Sequence, residues 1–310
     1  MGRFTDYRTF KTALGGRLLQ FEIGKVCEQA NGQVTVRYGE TVVNCTATAS
    51  KEPRQDIDFF PLSCDYEEKM YSVGKIPGGF NKREGKASEN AILTCRVIDR
   101  PMRPLFPKDY RNDVTLENLV MSVDQDCSPE LTAMLGAAIA TSISDIPFDG
   151  PISTTQVGLV DGEFVFNPTA AQKEVSDLAL TVASTKEKVI MIEAGANEVP
   201  EAQMIEAIFA AHELNQKVIA FIETIVAECG KAKHEYTSCA VPEELFEAIK
   251  EIVPPAEMEE AVFTDDKQTR EENIRVITEK LEEAFAENEE WLAVLGEAVY
   301  QYQKKTVRKM

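Results

Sequence analysis

Two hairpins constrain the fold of this chain more than any other feature. Val34-Thr35-Val36-Arg37-Tyr38 alternates apolar and polar residues, Gly39-Glu40 supplies a turn, and Thr41–Ala49 alternates again. A period of two sends one set of side chains to a covered face of a sheet and the other set to the opposite face. Further along, Val157–Val160 and Glu163–Phe166 flank Asp161-Gly162, a two-residue connection suited to adjacent antiparallel strands.

The remaining segments fill in a layered domain. Residues 15–66 read as strands, with Asp56–Tyr66 an extended run whose Pro61 marks an edge or a bend. Another strand falls near 114–123. Ser128-Pro129-Glu130 opens a helix with an N-cap, a proline at the first helical position and an acid next. That helix continues to about Ser144, and Ala133, Ala137, Ala138 and Ala140 let it pack closely on a sheet. Asp145–Pro151 is a turn cluster, 177–183 and 188–193 are strands, and Pro200–Cys229 is a long helix closed by Gly230. Strands first, helices interspersed and a long terminal helix predict an α+β layer domain.

The character changes near residue 234. Residues 234–310 hold 19 acids against 9 Lys and Arg, with no strand pattern, and Trp291, Leu292, Leu295, Val299 and Tyr302 form one helical stripe. The expected division is a sheet-and-helix domain over 1–233, with a sub-boundary near 148, and a small acidic all-α domain over 234–310. Lys304–Met310 closes without a capping signal, the look of a cut.

Composition excludes several kinds of protein. No apolar run approaches the ~20 residues that span a bilayer, and MGRFTDYRTF has no hydrophobic signal core, so a cytoplasmic location is expected. Seven scattered cysteines without a C-x-x-C pair read as reduced thiols, neither a disulfide frame nor a zinc site. Only His212 and His234 are present, which argues against histidine-based metal chemistry and Ser-His-Asp catalysis. The absence of G-x-G-x-x-G and of G-x-x-x-x-G-K-[ST] argues against a nucleotide-binding metabolic enzyme.

The candidate site lies in Gly74–Pro107. Residues 74–111 carry nine Lys and Arg against four acids, in a chain whose net charge is −19. A glycine-rich loop opens the stretch and presents Phe80, Asn81, Lys82 and Arg83. A ring can stack on a base while the cations meet phosphate, which suits single-stranded nucleic acid. The alternative is a solvated surface loop. Behind it, Ser88 is a candidate N-cap with Glu89 in the first turn, and Ile92, Cys95 and Ile98 can face a core. Arg96 and Arg100 share one face, Pro101 is expected to end the helix near Arg100, and Arg103 follows. These arginines read as a phosphate-facing row, or alternatively as ion-pair partners of Glu89 and Asp99.

The same stretch, with its flanks IGKVCEQANGQVTVRYGETVVNCTATASKEPR, IDFFPLSCDYEEKMYSVGKIPGGF, KREG and RVIDRPMRPLFP, resembles the first ribonuclease PH-like half of the bacterial polynucleotide phosphorylases. The likeness is close over residues 1–215 and looser from about 240. It implies a ribonuclease PH-like α+β domain followed by a small all-α domain. It also implies 3′-to-5′ phosphorolysis of single-stranded RNA in mRNA turnover, with inorganic phosphate as co-substrate, Mg²⁺ as cofactor, a homotrimer, and contacts with other RNA-degradation proteins. Phe80-Asn81-Lys82-Arg83 resembles the loop that narrows the trimer's central pore, although Asn81 stands where many relatives have a second apolar residue and Lys82 replaces a common arginine. Arg96, Arg100 and Arg103 resemble arginines that reach the RNA backbone. The catalytic half of such enzymes uses a serine-rich phosphate-binding turn and an Asp-Phe-Lys segment. The matching positions here are Ser128-Pro129-Glu130 and Ala179-Leu180-Thr181, so the resemblance implies no catalytic and no metal-binding residue in this chain, the metal ligands lying in the second half. The alternative implied is a free-standing, non-catalytic RNA-binding subunit of an exosome-type ring.

Overall fold

A computed structural model describes residues 6–54, 57 and 59–309. They form two units: the described residues of Met1–Arg54, Phe60–Lys108 and Asn112–Tyr236, and those of Gln55–Phe59, Asp109–Arg111 and Thr237–Met310.

The first unit contains two sheets. Strands β1 (Arg8–Leu14), β2 (Arg17–Ile23), β3 (Gly32–Tyr38), β4 (Thr41–Pro53), β5 (Leu62–Glu68) and β6 (Asn112–Ser122) make a six-stranded sheet in the order β1-β2-β3-β4-β6-β5. Every neighbouring pair is antiparallel except β5 with β6. Parallel pairing requires a crossover, and the loop and α1 (Glu89–Met102) lie in that β5–β6 connection, α1 packing on β5. Helix α2 (Pro129–Ile143) covers β3, β4 and β6, and every residue from Leu131 to Ile143 is buried. The alternation in β3 and β4 points Val34, Val36, Val43, Cys45 and Ala47 into this core.

The second sheet, in the order β10-β9-β7-β8, comprises β7 (Ser153–Val160), β8 (Glu163–Phe166), β9 (Leu178–Ser184) and β10 (Val189–Ala196). Asp161 and Gly162 both have positive φ, 52° and 81°, as the tight β7–β8 turn requires. One-turn helix α3 (Ala170–Glu174) carries a Thr169–Gln172 capping box. Helix α4 (Glu201–Cys229) packs on β7 and β9, and α2 also touches β7 and α4, so α2 is buried between the two sheets. Asn215 of α4 is fully buried and satisfied: its Oδ1 accepts from Thr155 Oγ1 at 2.8 Å, and its Nδ2 donates to Val182 O and Ser184 Oγ. Beyond α4, the Lys233 ammonium donates to the carbonyls of Thr141, Ser142 and Ser144 at 3.3, 3.0 and 2.7 Å, closing the end of α2.

In the second unit, α5 (Glu243–Ile252), α6 (Pro255–Val262), α7 (Lys267–Ala284) and α8 (Glu289–Arg308) surround Leu245, Ile249, Met258, Leu281, Leu295 and Val299. Trp291 and Leu292 pack at the margin of this core. Asp266 and Asn288 cap α7 and α8, accepting from the N–H groups of Thr269 and Trp291.

Four local expectations change. Strand β1 precedes the strands expected from residue 15 onward. The extended run expected over Asp56–Tyr66 forms a strand from Leu62, Asp56 and Asp58 lying outside the described residues. Helix α1 passes through Pro101 to Met102 and tightens into a 3₁₀ turn at Arg103–Leu105. In a final turn a proline removes only one donor, and the next bond, Arg103 N–H to Asp99 O, closes the turn behind it. Gly230 does end α4, but in extended geometry (φ −66°, ψ 141°) rather than the left-handed one.

Candidate nucleic-acid interface

The loop leaves β5 through a 3₁₀ turn, Met70–Val73, capped by Gly74 at φ 70°. Glu84 Oε1 accepts from the Met70 N–H at 2.9 Å and ties the loop's two stems. At the tip, the Lys82 N–H bonds Gly79 O at 3.0 Å, with Lys82 itself at φ 49°. Residues 78–90 are all exposed, and Phe80 is wholly so at 102%. Leaving such a ring in water forgoes about 1.5–3 kcal/mol of burial, and Lys82 and Arg83 have no ion-pair partner among the described residues. The loop therefore holds a bare ring and two bare cations together on a turn.

Helix α1 starts as its sequence predicts, with Ser88 Oγ accepting from the Ala91 N–H at 3.0 Å. Of the expected core-facing residues Ile98 is buried and Cys95 partly so, but the buried face is rotated away from Ile92. Ala91, Thr94, Ile98 and Met102 are buried, Cys95 is half-buried, and Ile92 is exposed at 53%. The spacing of 91, 94, 98 and 102 is as helical as that of 92, 95 and 98, so apolarity finds Ile98 but misplaces Ile92 and misses Ala91 and Thr94.

The three arginines occupy different settings. Arg96 is exposed and makes no ion pair among the described residues. Arg100 Nη1 lies 3.2 Å from Glu193 Oε2 on β10, not on Glu89 or Asp99. Arg103 is fully engaged: it grips Asp99 twice and donates to Phe60 O and Leu62 O at 2.9 and 3.1 Å. The Asp99 carboxylate raises the Arg103 pKa above its usual value. Arg103 thus ties the end of α1 to the entry of β5.

Beside α1 is an open groove of 330 Å³, lined by Thr94, Glu130, Gln156, Ala179, Thr181 and Glu193 among others. It brings together both segments that the resemblance set against catalytic motifs. Ser128 Oγ caps α2 by accepting from the Leu131 N–H, and donates to Glu130 Oε2 at 2.5 Å. The Glu130 carboxylate therefore occupies the helix N-terminus that an anion would otherwise use. The groove has no Lys, Arg or His in its lining, and no group of three or more His, Cys, Asp or Glu among the described residues could hold a metal ion. These residues fit neither inorganic phosphate nor Mg²⁺. No local sequence signal singles out Glu193, Gln156 or Thr94, because only the pairing of distant strands and α1 brings them to one place.

Two layered sheets with a helix between them define an α+β domain, and likeness to known proteins gives its family. The 3′ exoribonuclease family matches in two parts, domain 1 over residues 15–147 and domain 2 over 150–213. The chain belongs to this ribonuclease PH family, and within it corresponds to the N-terminal ribonuclease PH domains of polyribonucleotide nucleotidyltransferases. The polyribonucleotide nucleotidyltransferase of Lachnoclostridium phytofermentans is 74% identical over 305 residues, covering 98% of this chain and 44% of that protein. The one of Ruminiclostridium cellulolyticum is 54% identical over 303 residues, covering 97% and 43%. The chain therefore spans less than half the length of these relatives. The crystal structure of rice Rrp46 shares the fold, with a TM-score of 0.52 at 12% identity, over 72% of this chain and 96% of that one. No described helix is long and apolar enough to cross a membrane.

Proposed function

We propose that this chain is the RNA-gripping, non-catalytic half of a polyribonucleotide nucleotidyltransferase. The whole enzyme attacks the 3′-terminal phosphodiester of single-stranded RNA with inorganic phosphate and releases nucleoside diphosphates. Such phosphoryl transfer needs cations around the incoming phosphate, a proton donor for the leaving oxygen and carboxylates for Mg²⁺. The groove where those groups would stand holds Glu130, Ala179 and Thr181 instead, and this observation carries the assignment. The metal, the phosphate and the acid then come from the second half.

In this reading Phe80 stacks on a base, and Lys82 and Arg83 meet flanking phosphates. Arg96 and Arg100 guide the backbone past the groove, Arg100 exchanging Glu193 for phosphate. A homotrimer would bring three such loops around one strand.

The assay is phosphate- and Mg²⁺-dependent release of ADP from poly(A), alongside poly(A) binding, by the 310-residue chain. Binding without ADP release is the expected result, and steady, phosphate-dependent release from a clean preparation would refute the non-catalytic assignment. Replacing Lys82 and Arg83 with alanine should lower the slope of log affinity against log salt by about 0.7 for each phosphate that the loop no longer neutralises.

A further inference from the structure

We propose that the helical unit carries a second contact for single-stranded nucleic acid, in the groove between the end of α6, the start of α7 and the outer face of α8. The groove has a volume of 650 Å³, within the roughly 300–1,000 Å³ range of ligand sites. Tyr300, Gln303, Lys304, Val307 and Arg308 line it at helical spacing, and they form the face of α8 opposite to Leu295, Ala298, Val299, Tyr302 and Thr306 of the core. Phe263 and Arg270 close the other side. Phe263, Tyr300 and Val307 are exposed at 47%, 56% and 48%, although this small unit has an apolar core available to bury them.

The charge here runs against that of its surroundings. Residues 234–310 hold 19 acids and 9 bases. In the groove, Arg270, Lys304 and Arg308 face Asp265, and Asp266 is close enough to Arg270 to have its pKa lowered in part by that charge, after its bonds to Thr269. Three cations thus meet two carboxylates, and none of the three makes an ion pair among the described residues. Cations at the end of α8 suit its dipole, but the dipole explains neither Arg270 on another helix nor the two exposed rings. Lys304 Nζ lies 5.8 Å from the centroid of the Tyr300 ring, which sets an aromatic face and a cation side by side. Rings that accept stacked bases, flanked by cations that accept phosphate, are the components of a sequence-tolerant single-strand site.

The identity of the polyanion as RNA rests on the function proposed above; the groove's charge and rings stand apart from it. Ultraviolet cross-linking of the whole chain to a labelled oligouridylate, with peptides mapped by mass spectrometry, tests both at once. Cross-links at Phe263 or Tyr300, besides those at Phe80, are the expected result. Replacing both groove rings with alanine should weaken binding about thirtyfold or more, for two base stacks, while Tyr300→Phe should leave it unchanged. Lys304→Ala with Arg308→Ala should lower the salt slope by about 1.4, for two phosphates. Cross-links confined to residues 74–103, with the groove variants binding as the parent does, would overturn the groove and leave the RNA reading standing. Protection of Lys304 and Arg308 from chemical modification by a glutamate-rich aromatic peptide, without RNA cross-links there, would make the groove a protein contact and overturn the proposal. No cross-link anywhere would remove both readings.

Discussion

Arg103 holds Asp99 in a two-point grip, with Nε 2.9 Å from Oδ2 and Nη2 2.6 Å from Oδ1, one turn apart in the chain. The same guanidinium also serves Phe60 O and Leu62 O, and its centre lies 5.9 Å from the centroid of the Phe60 ring. Removing it strips the partly buried Asp99 carboxylate of both charge-assisted bonds, leaving it the weak Cys64 Sγ contact at 3.9 Å, and takes one donor each from Phe60 O and Leu62 O. Arg103→Ala should therefore cost about 1–3 kcal/mol, and Arg103→Lys should recover little, because one ammonium cannot reproduce a planar fork. Arg100→Ala, which breaks an exposed pair, should cost within ~1 kcal/mol. Urea midpoints of the three variants measure the order directly.

Phe80→Ala should leave the unfolding midpoint where it is, since the ring packs on nothing in the folded chain. Affinity for oligoadenylate should drop about five- to a hundredfold, the range for one base stack. A fall in stability of similar size would mean instead that the ring is buried in the state present in solution.

Gly136→Ala sets two effects against each other. In an exposed helix the change would stabilise by up to about 1 kcal/mol. Here a Cβ at 136 would run into Cys45 Sγ and Cβ and Val36 Cγ2, all held by the sheet beneath α2. Overpacking of this kind costs about 1–3 kcal/mol, so a net loss is expected, read as a lower thermal midpoint.

Asp124 gives the first unit an acid-sensitive point. Its carboxylate accepts from the N–H groups of Asp126 at 3.0 Å and Glu40 at 3.3 Å, and these bonds, Asp126 first, lower its pKa below the ordinary 3.8. A depressed folded-state value means that the stabilisation is present above pH 3.8 and is lost as the pH falls through the folded value. Asp124→Asn should flatten the acid limb of a stability-against-pH curve relative to the parent, with both curves parallel above pH about 5.

The sheets and the long helices were legible because each rests on short-range signals. Alternation marked β3 and β4, Asp161-Gly162 marked the β7–β8 turn, and Ser88 and Ser128 marked two helix starts. The exposed loop was legible from its glycines and charges. What escaped was decided by partners distant in sequence. Which stripe of α1 is buried depends on β5, and the partner of Arg100 lies 93 residues away on an edge strand. The groove beside α1 needs five separate elements, α1, α2, β7, β9 and β10, to exist at all.

The seal that Lys233 places on α2 bears on how the chain is made. Helix α2 is buried between the sheets, yet the ammonium that closes its last carbonyls comes 89 residues after Ser144. Burial of that ammonium lowers its pKa, against the opposing pull of the Asp145 carboxylate, and the three carbonyls hold it in place. A ribosome extending this chain therefore displays an almost finished first unit whose central helix has only its local Ser144 cap on Thr141 O, and lacks the Lys233 donor, until residue 233 clears the exit tunnel. A nascent chain stalled just short of that point should remain open to proteolysis near 141–144, and one extended past it should not.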